Sequence, residues 1–297
     1  NPASSPSARA AAHRPKPCPA FRVGMTMEIG AGKGFSFGWV RAYIDAMSDD
    51  AHIAEARTVL RVTGADRATF LQGLVTNDVD RLTEGLVYTA LLSPQGKYLA
   101  DFLMVPADDA ILIDVAAAMA PGLMQRLSMY KLRAAVEIEA TDITVTRGVG
   151  PLPEGALVDP RHPALGWRAY GADIDAPTVD WDALRVEHMI PEAGRELHPN
   201  DSFILEHGFE RLRGVDFKKG CYVGQEVTAR MKHKTELKKG LARVAVTGPA
   251  DPGAEITAGG KPAGTLYTRS GDEALAYLRF DRAQGEMQAG DATLRKL

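Results

Sequence analysis

The sequence contains few cysteines, little net charge and no long apolar run. Its 297 residues include two cysteines, Cys18 and Cys221, which cannot build a disulfide framework or, unaided, a tetrahedral thiolate metal site. No run of about 18 apolar residues occurs, which argues against a membrane-spanning helix. The net charge of −3 argues against a protein that coats nucleic acid. We therefore expect a soluble intracellular protein of two or three globular domains.

The first 46 residues differ in composition from the rest of the chain. Residues 1–24 carry four basic residues and no acidic residue, and they are rich in Ala, Ser and Pro. Such a segment buries too little apolar surface to offset the entropy lost on ordering. It is typical of an organellar transit peptide or of an extension ahead of a start at Met47. We predict that residues 1–46 are disordered or non-native. The predicted location is cytoplasmic, or the mitochondrial matrix if this segment is a transit peptide.

Hydrophobic periodicity predicts an α+β fold in three parts. Strand-like and helix-like segments follow one another in the order expected of a ferredoxin-like sandwich, which we assign to residues 47–150. A second α+β lobe is predicted over residues 151–238, with helices at 181–189 and 224–232. From Lys239 onward, alternating apolar residues and glycine turns predict a small β-barrel over residues 239–297.

The densest chemical motif surrounds Cys221. Lys218 and Lys219 precede this cysteine, and a helix is predicted to start near Gly224. Nearby positive charge and a helix N-terminus both favour a thiolate over a thiol. Cys221 is therefore a candidate reactive or metal-ligating thiol, although an unpaired cysteine is more often a buried apolar residue.

Residues 218–240 contain seven basic and two acidic residues, a local charge of +5. This concentration of charge predicts a positive patch suited to an anionic ligand, with a solvated surface as the alternative. Tyr222 is the single aromatic residue in the segment, so binding of stacked single-stranded nucleic acid is not expected.

Glu187 is a second candidate, near the end of the helix predicted over residues 181–189. A carboxylate accepts paired hydrogen bonds from planar groups such as the edge of an aminopyrimidine. The alternative is a surface glutamate that pairs with Arg185 or another neighbour.

Four segments resemble a known family. The run from Lys219 to Glu226 reads Lys-Gly-Cys-Tyr-Val-Gly-Gln-Glu and resembles the signature of the YgfZ family, folate-binding proteins implicated in iron–sulfur cluster assembly and repair. Residues 70–79, 91–97 and 184–187 extend the resemblance, which covers about residues 59–280. The YgfZ family is in turn similar to the T-protein aminomethyltransferase of the glycine cleavage system.

The resemblance implies a three-lobed α+β fold with a C-terminal β-barrel around a folate funnel. It further implies tetrahydrofolate as cofactor, no resident metal, and a role in cluster assembly or repair on client enzymes, including tRNA-modifying enzymes. Iron–sulfur clients or assembly proteins are the expected partners, without direct nucleic-acid or membrane binding. The implied catalytic residue is Cys221; the implied cofactor-binding residues are Asp101, Glu187, Lys219, Tyr222, Gln225 and Arg230.

One departure from the transferase pattern separates two possible functions. The stretch from Gly96 to Asp101 keeps one carboxylate where the transferase carries adjacent carboxylates. A folate-dependent aminomethyltransferase that uses Asp101 and Glu187 is therefore the alternative to the accessory role. A third possibility is an interaction module whose folate site is vestigial.

Overall fold

Three β-sheets organise residues 56–172, 174–234 and 236–297, the part of the chain that this computed structural model describes. The predicted extension over residues 1–46, with Cys18, lies outside these residues. The helices are α1 (Arg67–Gln72), α2 (Ala120–Lys131), α3 (Trp181–His188) and α4 (Gln225–Lys234), and short 3-10 turns lie at Val79–Glu84, Pro163–Leu165 and Ile204–His207. The strands are β1 (Arg57–Thr63), β2 (Val87–Leu92), β3 (Tyr98–Pro106), β4 (Ile111–Ala116), β5 (Glu137–Ala140), β6 (Val145–Gly148), β7 (Leu157–Val158), β8 (Trp167–Tyr170), β9 (Lys239–Thr247), β10 (Glu255–Ala258), β11 (Lys261–Ser270), β12 (Glu273–Arg279), β13 (Met287–Ala289) and β14 (Ala292–Lys296).

The largest sheet is antiparallel, with the strand order β2-β3-β4-β1-β5. Strands β2 and β4 are buried along their whole length, because continuous apolar runs suit strands that are covered on both faces. Helices α1 and α2 pack on one face through Leu71 and Leu123. Residues 190–222 cover the other face, where Phe209 stacks on Tyr88 with ring centroids 5.0 Å apart. This second covering layer carries the Cys221 turn.

The observed first lobe has one strand more than the ferredoxin-like order. Three strands, not two, lie between α1 and α2. Helix α2 starts at Ala120, and Ala116 is still paired with β1 as the last residue of β4. Strand β6 falls within the predicted first lobe but pairs with β8 and so belongs to the small sheet β6-β8-β7.

The C-terminal barrel is confirmed. Six strands close in the order β10-β11-β12-β9-β14-β13. Strand β9 alternates between buried and partly exposed residues, as a strand with one face in a barrel interior requires. Gly264 allows the closest approach, since a Cβ at this position would lie 2.2 Å from the carbonyl oxygen of Tyr277. Sequence periodicity missed β13 and β14, which complete the closure.

The helices that the structure describes are all too short or too polar to span a membrane.

Candidate functional site

Two of the motif segments contact each other through Lys219. The side chain of Lys219 is 6% exposed, and its Nζ donates hydrogen bonds to the carbonyl oxygens of Gln72 (2.9 Å), Val75 (2.6 Å) and Asn77 (2.8 Å). The last carbonyls of a helix lack partners within the helix, and α1 ends at Gln72. Lys219 supplies a partner for the last of these carbonyls and for two carbonyls just beyond the helix, and thereby holds the Cys221 turn against the first lobe.

Further hydrogen bonds reinforce this contact, which we call the interlock (residues 72–77 with residues 213–223). The backbone N–H of Val223 donates to the carbonyl of Gly73 at 3.3 Å. The Thr76 hydroxyl donates to the carbonyl of Gly214 at 2.7 Å, and the Asn77 amide donates to that of Arg213 at 2.7 Å. Sequence analysis missed Thr76 and Asn77, although two polar residues directly after the apolar pair Leu74-Val75 are a signal that could have found them.

The geometry gives Lys219 a role different from the predicted ligand contact. An ammonium group has three N–H donors, and all three are used by backbone carbonyls. Burial lowers the pKa of Lys219 to about 8, while the charges of Asp78 and Asp216 raise it. Lys219 is therefore a buried structural cation in this structure.

Cys221 lies at the surface end of the same turn. Its side chain is exposed, whereas Tyr222 is buried in the core beneath the first-lobe sheet. The predicted low pKa of the Cys221 thiol stays a prediction. Burial raises the pKa of Tyr222 to about 12. Tyr222 and Lys219 are thus the buried anchors of the turn, and Cys221 is an exposed residue between them.

A third motif segment packs against the turn from the other side. Gly224 has φ +84°, and a Cβ there would lie 2.6 Å from the carbonyl oxygen of Ser93. Gly96 has φ +73°, and its Cβ would lie 2.7 Å from Cβ of Val227. Both positions need glycine for the backbone conformation and for the close approach. The Ser93–Gly96 turn, the interlock and the start of α4 therefore form one packed unit.

The predicted positive patch is partly neutralised. Arg230 pairs with Glu226 at 3.0 Å on the surface of α4, and Lys232 pairs with Glu210 at 2.5 Å. Gln225, half-buried at the start of α4, donates its backbone N–H to the carbonyl of Tyr222 at 3.3 Å. Together with Lys219, two further cations of the +5 segment thus have partners inside the protein, which weakens the case for a general anion surface.

Asp101 is enclosed by hydroxyl groups. It is buried on β3, and its two carboxylate oxygens accept hydrogen bonds from Tyr88 at 2.9 Å and Tyr98 at 2.7 Å. Burial, together with the charge of Asp101, raises the pKa of both tyrosines well above the ordinary value. Each oxygen of Asp101 therefore already has a donor in the folded protein.

Glu187 lies at the protein surface, and its predicted role in folate binding stays a prediction. Its side chain is 62% exposed, with Nε2 of His188 at 3.9 Å. The buried carboxylate in this region is Glu196, which accepts hydrogen bonds from Arg185, the backbone of Glu192 and the hydroxyl of Thr268. Glu187 is at the exposed face of α3 because Arg185 and Val186 occupy the buried face. No sequence motif marked Glu196.

The predicted folate residues do not line the cavity beside α2. A cavity of about 160 Å³ lies between α2 and the β2–β3 hairpin, lined by apolar residues and by Arg126. None of the seven predicted site residues lines it. Asp101 and Lys219 already have hydrogen-bond partners within the protein and Glu187 faces solvent, so this residue set does not fit tetrahydrofolate as one site. No group of three or more His, Cys, Asp or Glu residues in the described ranges could hold a metal ion.

Comparison with known proteins gives the family. Residues 238–296 match the family model of the CAF17 C-terminal beta-barrel domain. The mitochondrial iron–sulfur cluster assembly factor IBA57 of Mus musculus is 30% identical over 281 residues, covering 78% of each chain. The chain belongs to the IBA57 family. The Homo sapiens IBA57 is 28% identical over 278 residues, again with 78% of each chain covered.

A solved structure of similar fold supports the three-lobed architecture. The glycine cleavage system aminomethyltransferase T from Bartonella henselae superposes with a TM-score of 0.63 at 13% identity, covering 83% of this chain and 86% of that one. The predicted T-protein-like fold is confirmed. The predicted family is confirmed only in its coarser part, since the named relatives are IBA57 proteins and not YgfZ itself.

Proposed function

We propose that this chain acts in the assembly or repair of iron–sulfur clusters on client proteins, and that Cys221 is the residue that does the chemistry. Its IBA57 relatives are named as cluster assembly factors, which supports the role. The observation that carries the mechanism is the exposed position of Cys221 on a turn whose neighbour, Lys219, is hydrogen-bonded to three carbonyls. In the reduced protein, the Cys221 thiolate ligates an iron of the cluster in transit or engages a thiol of a partner.

The cysteine content makes a partner protein part of this proposal. Iron–sulfur clusters are typically held by about four cysteine thiolates, and this sequence contains two cysteines in all. The remaining ligands must therefore come from an assembly protein or from the client. The rigid turn presents one thiolate at a defined place, which suits a ligand that is exchanged between two proteins.

Tetrahydrofolate binding and aminomethyl transfer are less well supported. Both oxygens of Asp101 accept tyrosine hydroxyls, and Glu187 is exposed. The cluster role proposed here needs neither residue, so no step of it depends on folate.

The sequence resemblance supports a proposal for the client proteins, and the names of the relatives support a proposal for the location. The clients we propose include radical enzymes that modify tRNA. The IBA57 relatives are named mitochondrial, and we propose the mitochondrial matrix if residues 1–46 act as a transit peptide. Cell fractionation of chains with and without residues 1–46 tests this location.

Complementation of a null strain tests the function. The null strain receives the wild-type chain, Cys221→Ala, or the matched control Gly220→Ala, whose added methyl group would have no atom within 4 Å. Activities of cluster-containing enzymes and glycine-dependent one-carbon flux are measured in each strain. We expect Cys221→Ala to lose cluster-enzyme activity with flux intact, and Gly220→Ala to behave as wild type.

Two results would contradict the proposal. Full cluster-enzyme activity with Cys221→Ala would exclude the thiol mechanism. Loss of one-carbon flux with normal cluster enzymes would favour the transferase alternative instead.

A further inference from the structure

A cluster of buried arginines lies where the small sheet meets the first-lobe sheet. Arg168 on β8 is 2% exposed and donates to Asp114 on β4 at 2.9 Å and to Asp159 at 3.0 Å. Arg57 also donates to Asp114, at 2.6 Å, and Arg161 donates to Asp159 at 2.7 Å. Two carboxylates thus serve three guanidinium groups.

Neither carboxylate has an oxygen without a donor. One oxygen of Asp114 accepts from Arg57, and the other accepts from Arg168 and from the hydroxyl of Tyr170 at 3.0 Å. Both oxygens of Asp159 accept from Arg161, and one of them also accepts from Arg168. Burial alone would raise the pKa of Asp114 and of Asp159, but the adjacent arginines lower both. All four carboxylate oxygens of Asp114 and Asp159 therefore accept hydrogen bonds from residues of the cluster.

Arg147 is a fourth arginine beside this cluster, and neither Asp114 nor Asp159 accepts a hydrogen bond from it. It lies on β6 directly opposite Arg168, is half-buried, and packs its Cζ 4.1 Å from the ring centre of Trp181. Across residues 56–172, 174–234 and 236–297, no hydrogen bond or ion pair of the Arg147 side chain is found. Burial, helped by the charge of Arg168, lowers the pKa of Arg147 to about 10, so the group stays charged at neutral pH.

A half-buried charge without a protein partner takes its partner from solvent or from a ligand. The guanidinium carbon lies 4.1 Å from the centre of the Trp181 ring, and a guanidinium can offer paired N–H donors to a planar, bidentate acceptor. Glu192 lies near enough for its charge to act on Arg147, which disfavours a polyanion at the same place. We propose that Arg147 binds the carboxylate of a small organic anion between β6 and the N-terminus of α3.

This inference is independent of Cys221 and of the cluster role, and calorimetry on the full chain tests it. The probes are glutarate and, at matched ionic strength, inorganic phosphate. We expect saturable glutarate binding that Arg147→Met weakens at least tenfold and Arg147→Lys weakens less. The control is Arg126→Met, an exposed arginine on α2, which should bind as wild type does.

The unfolding midpoint of the ligand-free protein separates a ligand site from a structural arginine. If Arg147 serves a ligand, Arg147→Met unfolds at the wild-type temperature or above it, because an unpaired charge is removed. A midpoint lowered as far as that of Arg168→Met would overturn the proposal. Absence of saturable glutarate binding, equal affinity in Arg147→Met, or tighter binding of phosphate than of glutarate would also overturn it.

Discussion

The interlock beneath Cys221 and the arginine cluster beside β6 each contain a cation whose pKa is lowered by burial, yet the two cations have opposite surroundings. Lys219 uses its three donors on three carbonyls, whereas Arg147 packs on Trp181 without a hydrogen-bond acceptor in the described part of the chain. Burial desolvates both groups, but only Lys219 has protein hydrogen-bond acceptors in place of water. A lowered pKa by itself therefore does not separate a structural cation from a ligand-binding one; the hydrogen-bond partners do.

Arg168→Met should have the largest effect on stability. It leaves Asp114 and Asp159, both almost fully buried, with one cation fewer, and breaking a buried pair typically destabilises by about 3–5 kcal/mol. Urea unfolding followed by circular dichroism measures the change in the free energy of unfolding. A loss no greater than that of Arg147→Met would remove the distinction drawn between the two arginines.

Lys219→Met should follow, with a loss of about 3 kcal/mol. The substitution leaves three carbonyls without their donor, and an unsatisfied buried acceptor costs about 1–3 kcal/mol. The exposed neighbour Lys218 provides the control, since Lys218→Met should stay within about 0.5 kcal/mol of wild type. Equal unfolding midpoints in urea for the two variants would show that the interlock does not need the ammonium.

The pH dependence of stability sharpens the description of Lys219. Its folded pKa of about 8 lies below the ordinary value of 10.5, so between these values the unfolded chain binds more protons than the folded one. The free energy of unfolding of wild type, relative to Lys219→Met, should therefore rise with pH between about 8 and 10, by about 1 kcal/mol per pH unit. Urea unfolding at pH 7, 8, 9 and 10 measures it. A difference that is flat or falls over this range would mean that the pKa is not lowered.

Glu187→Ala should have the smallest effect, within about 0.5 kcal/mol in the free energy of unfolding. The side chain is 62% exposed, while the nearby Glu196 is fully buried and gives the matched comparison, since Glu196→Gln should destabilise clearly. Titration of both variants with tetrahydrofolate adds the binding test. Tetrahydrofolate binding by wild type that Glu187→Ala abolishes would restore the site that the sequence resemblance implied.

Local sequence patterns predicted most of the helices and strands, because hydrophobic periodicity depends on residues that are close together in the sequence. The alternation from Leu241 to Val246 reports a strand with one buried face, and the helix from Trp181 is observed over the predicted residues to within one position. The ferredoxin-like strand order of the first lobe and the grouping of β6 with that lobe were the parts that differed. Both depend on which strands pair, and pairing joins residues that are distant in sequence.

Sequence alone determined that Cys221 stands in a glycine-bounded turn, that three motif segments accompany it, and that the chain has an α+β fold ending in a barrel. Only the tertiary structure decided what each motif residue does. Lys219 became an anchor because three carbonyls at and beyond the end of α1 lie within hydrogen-bond distance of it. Glu187 became exposed because Arg185 and Val186 take the buried face of α3. Burial and hydrogen bonding are properties of the neighbours that folding supplies, and those neighbours lie up to 147 residues away in the sequence.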